Sequence, residues 1–450
     1  MTGARPAAGA ASFFARARQF LALISRFRLR HARALPLALT VAASELLFRL
    51  PFRRRGTGPP AQLDWGSGVS VVIPERGAPA MLGSCLRHLH AAVANLGEPA
   101  EVIVVVNGSP LDDYAGLRAD YPDVRWLHAA EPMGFTRAVL AGIAAAKHGA
   151  IYLLNNDMLL DADALREALP WRAAHVVAVA SQIFLQDSQR RREETGWTSM
   201  AVESGLPVPR HETPHGETAR GAVWAGAGSA LFHAGYLRQR LPDSLVFDPF
   251  YWEDVDVCVR AWRQGYEVVF CPRSIAWHKH RATVQRYFPP AEVARIFERN
   301  RIQFELRNPF PPQSLKATLA HVARLDRATL CELGSWRRCA ALWRSRRRAF
   351  RAAYRDMDYA VMWAKRHARP VGRPHPRPIV VVVSPFVVLP PRHGGAVRTH
   401  RLAVELARDF EVVLLSDELD LYGEPHAVEH APFAAVHLVR GRPDASSRIY

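Results

Sequence analysis

The amino-acid sequence predicts an α/β fold with a mostly parallel sheet, and three observations carry that prediction. Several strand-like segments are apolar throughout, which is typical of parallel strands covered on both faces. These segments alternate with segments of helical periodicity. The composition, with 49% hydrophobic and 22% charged residues over 450 positions, is that of a globular protein and excludes a wholly disordered, collagenous or coiled-coil chain.

The clearest pattern begins after a linker rich in Gly, Pro and Arg at 52–68. The run VSVVIP is closed by Pro74 and is followed by Leu residues at helical spacing. The predicted elements are, in order, strand 69–74, helix 79–96, strand 101–106, strand 124–127, helix 135–147 and strand 150–154. Because parallel strands need such crossover connections, this alternation predicts parallel pairing.

After Pro170 the pattern loosens, and we predict a long polar loop over 186–220. Further on, residues 311–368 look helical, basic and rich in Trp, and residues 370–377 read as a second linker. The other predicted elements are strand 221–232, helix 254–264, strand 267–271, helix 291–307 and a buried strand at 378–384. The last strand predicts the start of a second α/β unit.

The net charge of +17 is concentrated in two flanking segments. Residues 1–57 hold eleven Arg and one acid, and residues 311–377 hold sixteen Lys or Arg and four acids. A nucleic-acid-binding domain would carry its charge on its own folded surface, so we predict no nucleic-acid partner. Basic segments rich in Leu, Phe and Trp, such as the predicted helix at 12–33, are typical of contact with an anionic membrane surface.

The cysteines and the apolar runs predict the cellular location. Five Cys show no CxxC spacing, which favours free thiols in a reducing cytosol over disulfides or a zinc site. No segment reaches the ~20 apolar residues that span a bilayer, and Arg interrupts every apolar run that could form a signal peptide. We therefore predict a cytoplasmic protein with a peripheral position at the inner face of the cell membrane.

Polar residues follow three predicted strands, where ligands bind in open α/β sheets. These groups are Pro74-Glu75-Arg76, Asn107-Gly108-Ser109 and Asn155-Asn156-Asp157. A carboxylate preceded by amides can hold a divalent cation through oxygen ligands. Asn and Asp are also common turn formers, and spacing alone favours a simple turn.

Two further groups could carry chemistry. The segment WEDVD opens a predicted helix, and Asp254 lies off the apolar face of that helix. Acids in a first turn complement the helix dipole, so a capping role remains open beside a catalytic one. His278 follows Trp277 beyond a strand, and a lone His is more often a hydrogen-bonded surface or core residue than a ligand.

Five segments in one order make the arrangement recognisable: VSVVIP, EVIVVVNGS, GF followed by AGIAAA, YLLNNDM, and WEDVDVCVRAWRQGYEVVFCP followed by AWHKH. Together they resemble the family 2 glycosyltransferases, particularly the bacterial rhamnosyltransferase-like branch, over about 68–310. The resemblance implies a GT-A fold. It also implies transfer of a sugar from a nucleotide-diphosphate donor, with inversion at the anomeric carbon.

The resemblance assigns donor-binding roles residue by residue. Pro74 and Glu75 lie where the family loop touches the base and ribose, and Asn107 lies in the second base-contacting loop. Asn155 takes the place of the first acid of the family's DxD-type motif, and Asn156 lies beside it. These five positions are the expected contacts to a nucleotide-diphospho-sugar.

The resemblance also implies a metal and a base. Asp157 matches the last acid of the DxD-type motif, which holds Mg²⁺ or Mn²⁺ against the diphosphate, and His278 matches a histidine that can complete the metal site. Asp254 matches the general base of the family's ED motif. A diphosphate leaving group needs positive charge, and the acceptor hydroxyl must lose a proton, so these residue types suit the reaction.

Three positions depart from the family pattern. Val106 stands where the family usually has Asp, and positions 139–140 are Val and Leu where the helix usually carries Asn. We therefore keep a second hypothesis, a non-catalytic GT-A module that scaffolds a partner glycosyltransferase. The first hypothesis is a metal-dependent, hexosyl- or rhamnosyl-type transferase acting on a glycan or lipid-linked acceptor in bacterial surface polysaccharide synthesis.

The C-terminal segment resembles the opening of a family 4 glycosyltransferase of GT-B fold, with Gly394-Gly395 where those enzymes bring a turn close to acceptor or diphosphate. One β-α-β unit buries little surface, so we expect an incomplete Rossmann-like unit without catalysis. The predicted divisions are a basic segment and linker at 1–67, a GT-A domain at 68–310, a basic helical segment and linker at 311–377, and the incomplete unit at 378–450.

Overall fold

A computed structural model describes most of the chain between residues 35 and 449. The described residues are 35–48, 61–185, 196–203, 206–212, 219–278, 284–308, 320–322, 324–351, 378–386, 388–416, 432–433, 435–439 and 447–449. The predicted helix at 12–33, the linker at 370–377 and much of the predicted helical segment at 311–368 lie outside these ranges.

The strands of the first part of the chain form a main sheet and a separate hairpin. Their bounds are β1 Val69–Glu75, β2 Ala100–Asn107, β3 Arg125–Ala129, β4 Ala150–Leu154, β5 Met158–Leu160, β6 Val176–Leu185, β7 Thr198–Glu203, β8 Leu206–His211, β9 Arg220–Gly221, β10 Ser229–His233 and β11 Glu267–His278. The main sheet has the order β3-β2-β1-β4-β10-β6-β11-β5, with β9 beside β11.

Eleven described helices precede the C-terminal sheet. They are α1 Leu35–Phe48, α2 Pro79–Ala94, α3 Ala115–Asp120, α4 Phe135–Ala145, α5 Ala164–Ala168, α6 Ala234–Arg240, α7 Glu253–Arg263, α8 Val284–Tyr287, α9 Pro290–Arg307, α10 Arg327–Leu333 and α11 Trp336–Arg351. Short 3₁₀ turns lie at Leu111–Tyr114, Leu169–Trp171 and Leu241–Phe247. Within the described ranges, none of the helices is long and apolar enough to cross a membrane.

Parallel pairing dominates the main sheet, as the sequence predicts. Strand β1 pairs in parallel with β2 and β4, β2 with β3, and β6 with β11, whereas β10 runs antiparallel between β4 and β6. The register sets Val72 beside Ile103 on β2 and Leu153 on β4. The carboxyl ends of these three strands therefore meet at one edge of the sheet, where Glu75, Asn107 and Asn155 follow.

Both faces of the sheet are covered. Val72 and Val105 belong to a core cluster with residues of α4, whereas Ile73 and Val104 belong to a second cluster with residues of α2. Successive strand residues point to opposite faces, so a strand between two layers of helices must be apolar at every position. This is why the apolar runs predicted these strands.

The region predicted as a long loop at 186–220 contains a two-stranded hairpin instead. Strands β7 and β8 pair antiparallel, with Thr198 beside His211, and Trp197 and Met200 are buried in the core. Pro207 and Pro209 argue against a strand in the sequence, but an isolated two-stranded sheet offers edge positions that tolerate Pro. Residues 186–195, 204–205 and 213–218 lie outside the described ranges.

Two predicted strands have different bounds in the structure. The predicted strand at 221–232 is divided into β9 and β10, because residues 222–228 leave the sheet. The predicted strand at 267–271 continues to His278 past an irregularity between Cys271 and Ile275. The extension places His278 directly beside Met158 of β5.

A second sheet follows in the C-terminal segment. It contains β12 Ile379–Ser384, β13 Glu411–Ser416, β14 Ala435–Val439 and β15 Ser447–Ile449, with α12 Gly394–Leu406 between the first two strands. Strands β12, β13 and β14 are parallel in that order. The expected strand at 378–384 is present but only partly buried, since Ile379, Val381 and Val383 are 54%, 54% and 72% exposed.

Buried charges join α7 to α9. Asp256 is fully buried and its Oδ2 accepts hydrogen bonds from Arg260 Nε (2.9 Å), Arg307 Nη2 (3.2 Å) and the Ser244 hydroxyl (3.1 Å), while its Oδ1 accepts one from Asn308 (3.0 Å). Burial alone would raise the pKa of Asp256, but the guanidinium groups of Arg307 and Arg260 outweigh it and lower this pKa. Asp256 is thus a structural residue at the joint of two helices.

Replacing Asp256 with Asn should destabilise the protein by about 3–5 kcal/mol, because two buried cations lose their counter-charge. Urea denaturation followed by Trp fluorescence measures this loss. A carboxylate with a lowered pKa stabilises the fold above its unfolded pKa, and that stabilisation is lost as the pH falls. The loss between wild type and mutant should therefore shrink in acid.

The exposed Arg166–Asp163 ion pair provides the control. Asp163→Ala should change the free energy of unfolding by less than about 1 kcal/mol. Equal losses for Asp256→Asn and Asp163→Ala would contradict the structural role of the buried pair.

Candidate active site

A cleft of about 720 Å³ lies at the sheet edge where β1, β2 and β4 end. Seven of the eight residues singled out in the sequence line it: Pro74, Glu75, Asn107, Asn155, Asn156, Asp157 and His278. The eighth, Asp254, lines a small adjoining cavity, and Phe135 is common to both linings. The predicted donor and metal residues are therefore brought together, and Asp254 lies beside them rather than among them.

Glu75 is a buried organiser of one side of the cleft. Its side chain is 1% exposed, and Oε1 accepts hydrogen bonds from the Ala78 backbone N–H (2.6 Å) and the Tyr114 hydroxyl (2.8 Å). Its Oε2 accepts from the Asn156 side-chain amide. Burial raises the pKa of Glu75, and these hydrogen bonds only partly offset the effect. Glu75 thereby ties the end of β1 to the segment after β4.

Asn107 holds the opposite side of the cleft. Its Nδ2 donates to the Met133 carbonyl (2.8 Å), and its Oδ1 accepts from the Met133 N–H (2.6 Å). The next residue, Gly108, has φ +69°, and a Cβ there would lie 2.6 Å from Pro132. Only glycine fits this approach, so the Asn107-Gly108 pair fixes the loop that leads into α4.

Asp157 and His278 place a carboxylate and an imidazole side by side in the cleft. Asp157 Oδ2 lies 3.4 Å from His278 Nε2, and the pairing of β5 with β11 sets this distance. In the described part of the chain, Asp157 Oδ1 and Asn155 Oδ1 are buried oxygens without a hydrogen-bond partner. Buried polar atoms are normally satisfied, so oxygens of this kind are open to a ligand or ion.

These residues fit a divalent cation held together with a substrate. In the described ranges, no three His, Cys, Asp or Glu side chains cluster in a way that could hold a metal alone. Mg²⁺ is commonly bound by one or two carboxylates plus substrate phosphates, and does not require a complete protein cage. Asp157 with His278 matches that incomplete donor set.

An aromatic wall closes the far side of the cleft. Phe250 makes edge-to-face contacts with Tyr251 and Phe288, with ring centroids 4.8 Å and 4.9 Å apart, and Phe297 is 43% exposed. Sequence reasoning missed this wall. Its members come from two separated segments, and nothing in the local pattern distinguishes them from core residues.

Arg76 is a second residue that the sequence analysis left without a role. Its guanidinium lies over the Tyr287 ring, 4.0 Å from the centroid, and both residues line the cleft. Arg stacked on an aromatic ring keeps its charge and loses little freedom. The position of Arg76 directly after Glu75 at a strand end was the available signal.

Asp254 lies in the first turn of α7 and is partly buried. Its Oδ1 accepts from the Val255 backbone N–H (2.8 Å), and its Oδ2 accepts from the Ala227 N–H (3.3 Å). Burial raises the pKa of Asp254, and the two backbone hydrogen bonds only partly offset this. A raised pKa suits a group that takes up a proton, although burial alone is a sufficient cause.

A family profile described as "Glycosyltransferase like family 2" matches residues 67–295. The chain belongs to this family. The match covers half of the chain, includes every predicted site residue and, with the sheet order, confirms the predicted α/β fold of GT-A type. It does not reach the C-terminal segment, so the family 4 resemblance stays a prediction, as does the rhamnosyltransferase-like branch.

Three solved structures with distant similarity are complexes with a nucleotide or a nucleotide sugar. GalNAc-T7 with UDP, GalNAc and Mn²⁺ is 14% identical, with 59% of this chain and 52% of that chain covered and a TM-score of 0.43. The mannosyltransferase PcManGT from Pyrobaculum calidifontis, with GDP-Man and Mn²⁺, is 16% identical (70% and 86% covered, TM-score 0.37). S. aureus TarS 1-349 with UDP-GlcNAc is 13% identical (56% and 71% covered, TM-score 0.38).

The match thus spans about half the length of GalNAc-T7. At these scores the similarity carries no information on the donor or acceptor of this chain. The curated proteins contain no significant match.

Proposed function

We propose that residues 68–310 form a metal-dependent, inverting glycosyltransferase that uses a nucleotide-diphosphate sugar. The observation that carries the proposal is the Asp157–His278 pair, 3.4 Å apart, with unpartnered oxygens beside it in a cleft of a family 2 chain. Ligand sites of this size are typical of small-molecule substrates. We assign no catalysis to residues 378–450.

The proposed chemistry assigns one task to each group. Asp157 and His278 would hold Mg²⁺ or Mn²⁺, which supplies positive charge to the diphosphate leaving group when bound. Asp254 takes the proton of the acceptor hydroxyl while the oxygen of that hydroxyl bonds to the anomeric carbon. The bond from that carbon to the diphosphate breaks on the opposite face, so the configuration inverts. Pro74, Glu75, Asn107 and the Asn155–Asn156 pair bind the nucleotide.

Asp157→Asn should remove most of the metal-dependent stabilisation by nucleotide. Thermal unfolding with UDP or GDP, with and without Mn²⁺, measures this. A ligand at about 100 times its Kd stabilises the native state by about 2.7 kcal/mol, and loss of a metal ligand weakens binding by roughly 10- to 100-fold or more. Asp161→Asn is the matched control, since that carboxylate is exposed four residues away.

The same screen separates the scaffold hypothesis from the enzyme. Val106 is fully buried and Val139 is 1% exposed, so neither presents a polar group to the cleft, which favours a module with weakened donor contacts. A wild-type protein that no nucleoside diphosphate stabilises, with or without Mn²⁺, would support that alternative. An equal metal-dependent shift in Asp157→Asn would contradict the metal assignment.

Asp254→Asn should reduce sugar transfer by roughly 10²- to 10⁴-fold, the range for loss of a positioned base. Nucleotide binding should stay unchanged, because Asp254 lies outside the cleft lining. Transfer is measured by release of nucleoside diphosphate with an acceptor mixture. Turnover similar to wild type in this variant would refute the proposed base.

The family resemblance supports a proposal for the acceptor, and the charged flanks support one for the membrane setting. We propose a glycan or lipid-linked acceptor in bacterial surface polysaccharide synthesis, with a hexosyl or rhamnosyl donor, at the cytoplasmic membrane face. Helix α11 supports the membrane contact, because Trp336 is 84% exposed and Arg337, Arg344 and Arg347 are exposed with it. Exposed Trp beside Arg suits an anionic interface.

Vesicle sedimentation tests this surface. Binding should need anionic lipid and should fall with added salt, and replacing Arg337, Arg344 and Arg347 with Ala should weaken it roughly 100-fold at about 1 kcal/mol per Arg. Three exposed Arg elsewhere provide the matched control: Arg118, Arg398 and Arg401. Binding to zwitterionic vesicles at high salt would contradict the electrostatic contact.

A further inference from the structure

A small cavity lies beside the cleft at the first turn of α7. Its volume is about 10 Å³, close to the minimum that holds one water molecule. Most of its lining is apolar, but three polar residues contribute: Thr136 of α4, and Glu253 and Asp254 of α7. The cavity therefore joins the start of the helix that carries the proposed base to the start of α4.

Two of these polar groups lack partners. Glu253 is 6% exposed and Thr136 is 1% exposed. In the described part of the protein, neither Glu253 Oε2 nor Thr136 Oγ1 has a hydrogen-bond partner. Each such group costs about 1–3 kcal/mol if it stays unsatisfied. Both residues line the cavity, but the two atoms are themselves enclosed by protein, so neither is solvated by a water in it.

The charges around Glu253 decide its protonation state. Asp254 is its neighbour on α7, and buried Cys258 lies one turn further along the helix. His211 of β8 favours the charged form of Asp254. Asp248 from the preceding turn is a second acid.

The cation associated with Asp248 is Arg137 of α4, whose Nε lies 2.8 Å from Asp248 Oδ2 and which is 53% exposed. No basic side chain forms an ion pair with Glu253 itself in the described ranges. Glu253 is therefore a buried acid that faces other acids.

Burial and the charge of Asp254 raise the pKa of Glu253 well above its usual value. Burial also raises the pKa of Asp254, but its two oxygens accept backbone N–H bonds that favour the carboxylate. Glu253 Oε2 receives no such bond. When two adjacent acids share one proton, it resides on the acid whose charged form is less stabilised, which here is Glu253.

We propose that Glu253 is a neutral, protonated acid, so that Asp254 carries the only negative charge of the pair. This inference rests on the proposed role of Asp254 as base. Glu253 is then a positioning residue: it neither touches substrate nor transfers its proton. Because Glu253 is neutral, no second negative charge raises the pKa of Asp254 further. Asp254 therefore remains a carboxylate at neutral pH.

Substitutions by a neutral isostere give the sharpest test. Glu253→Ala should lower sugar transfer by roughly 10- to 100-fold, because the turn before Asp254 loses its packing. Glu253→Gln should recover most of that loss, since the amide is a neutral isostere of the protonated acid.

Two readouts are independent of activity. The infrared difference spectrum of wild type minus Glu253→Gln should contain the carbonyl band of a protonated carboxylic acid at pH 7. An acid with a raised folded pKa stabilises the fold fully below its unfolded pKa and loses that stabilisation as the pH rises. The Tm of Glu253→Gln minus that of wild type should therefore increase steadily between about pH 5 and pH 8.

The outcomes separate this inference from the proposed function. A wild type without transferase activity that still has the acid band and the pH-dependent Tm difference would refute the proposed function and leave a neutral Glu253. A folded Glu253→Gln as inactive as Glu253→Ala, no acid band, or a constant Tm difference would overturn the neutral-acid assignment.

Discussion

The candidate site depends on one buried hydrogen-bonded contact, between α9 and the turn that precedes α7. Asn300 Nδ2 lies 2.5 Å, 2.8 Å and 3.2 Å from the carbonyl oxygens of Phe247, Phe250 and Tyr251, and it donates to this group. Both Tyr251 (φ 73°) and Trp252 (φ 77°) are left-handed, a conformation that costs of order 1–3 kcal/mol for each non-glycine residue. Without the contact from α9, the turn would relax and α7 would begin in another direction.

The same turn is also held by residues that precede α4 at the edge of the cleft. The Phe135 N–H donates to the Pro249 carbonyl (2.7 Å), and a Cβ on Gly134 would lie 2.6 Å from Asp248 Oδ1, so α4 begins in direct contact with the turn. Asn107 in turn holds Met133, just before α4. A continuous set of contacts thus runs from the end of β2 to the start of α7. A displacement of the loop at Asn107 would therefore be transmitted to Asp254, because packed contacts of this kind do not deform independently.

Sequence patterns predicted the parts of this arrangement that depend on local chemistry. The apolar runs located β1, β2 and β4, and the polar residues after them converge because parallel strands end at one edge. The approach of His278 to Asp157 needed a pairing between β5 and β11 that no local pattern encodes. The left-handed backbone conformation of Tyr251 could not be predicted from the sequence for a related reason. Its distant partner Asn300 helps to stabilise a conformation that the residue itself disfavours.

In the proposed enzyme, the charge balance of the cleft would make the binding of nucleotide and cation interdependent. Arg76 is the only Lys or Arg among the described lining residues, and Glu75 and Asp157 supply acidic groups. A nucleoside diphosphate would bring further negative charge to this edge, where the low dielectric amplifies repulsion. A divalent cation held by Asp157 would offset that repulsion. Binding free energies are reciprocal, so the cation would raise the affinity for nucleotide by the same factor as the nucleotide raises the affinity for the cation. The incomplete set of metal ligands, Asp157 and His278, would therefore suit a cation whose coordination is completed by the oxygens of the diphosphate.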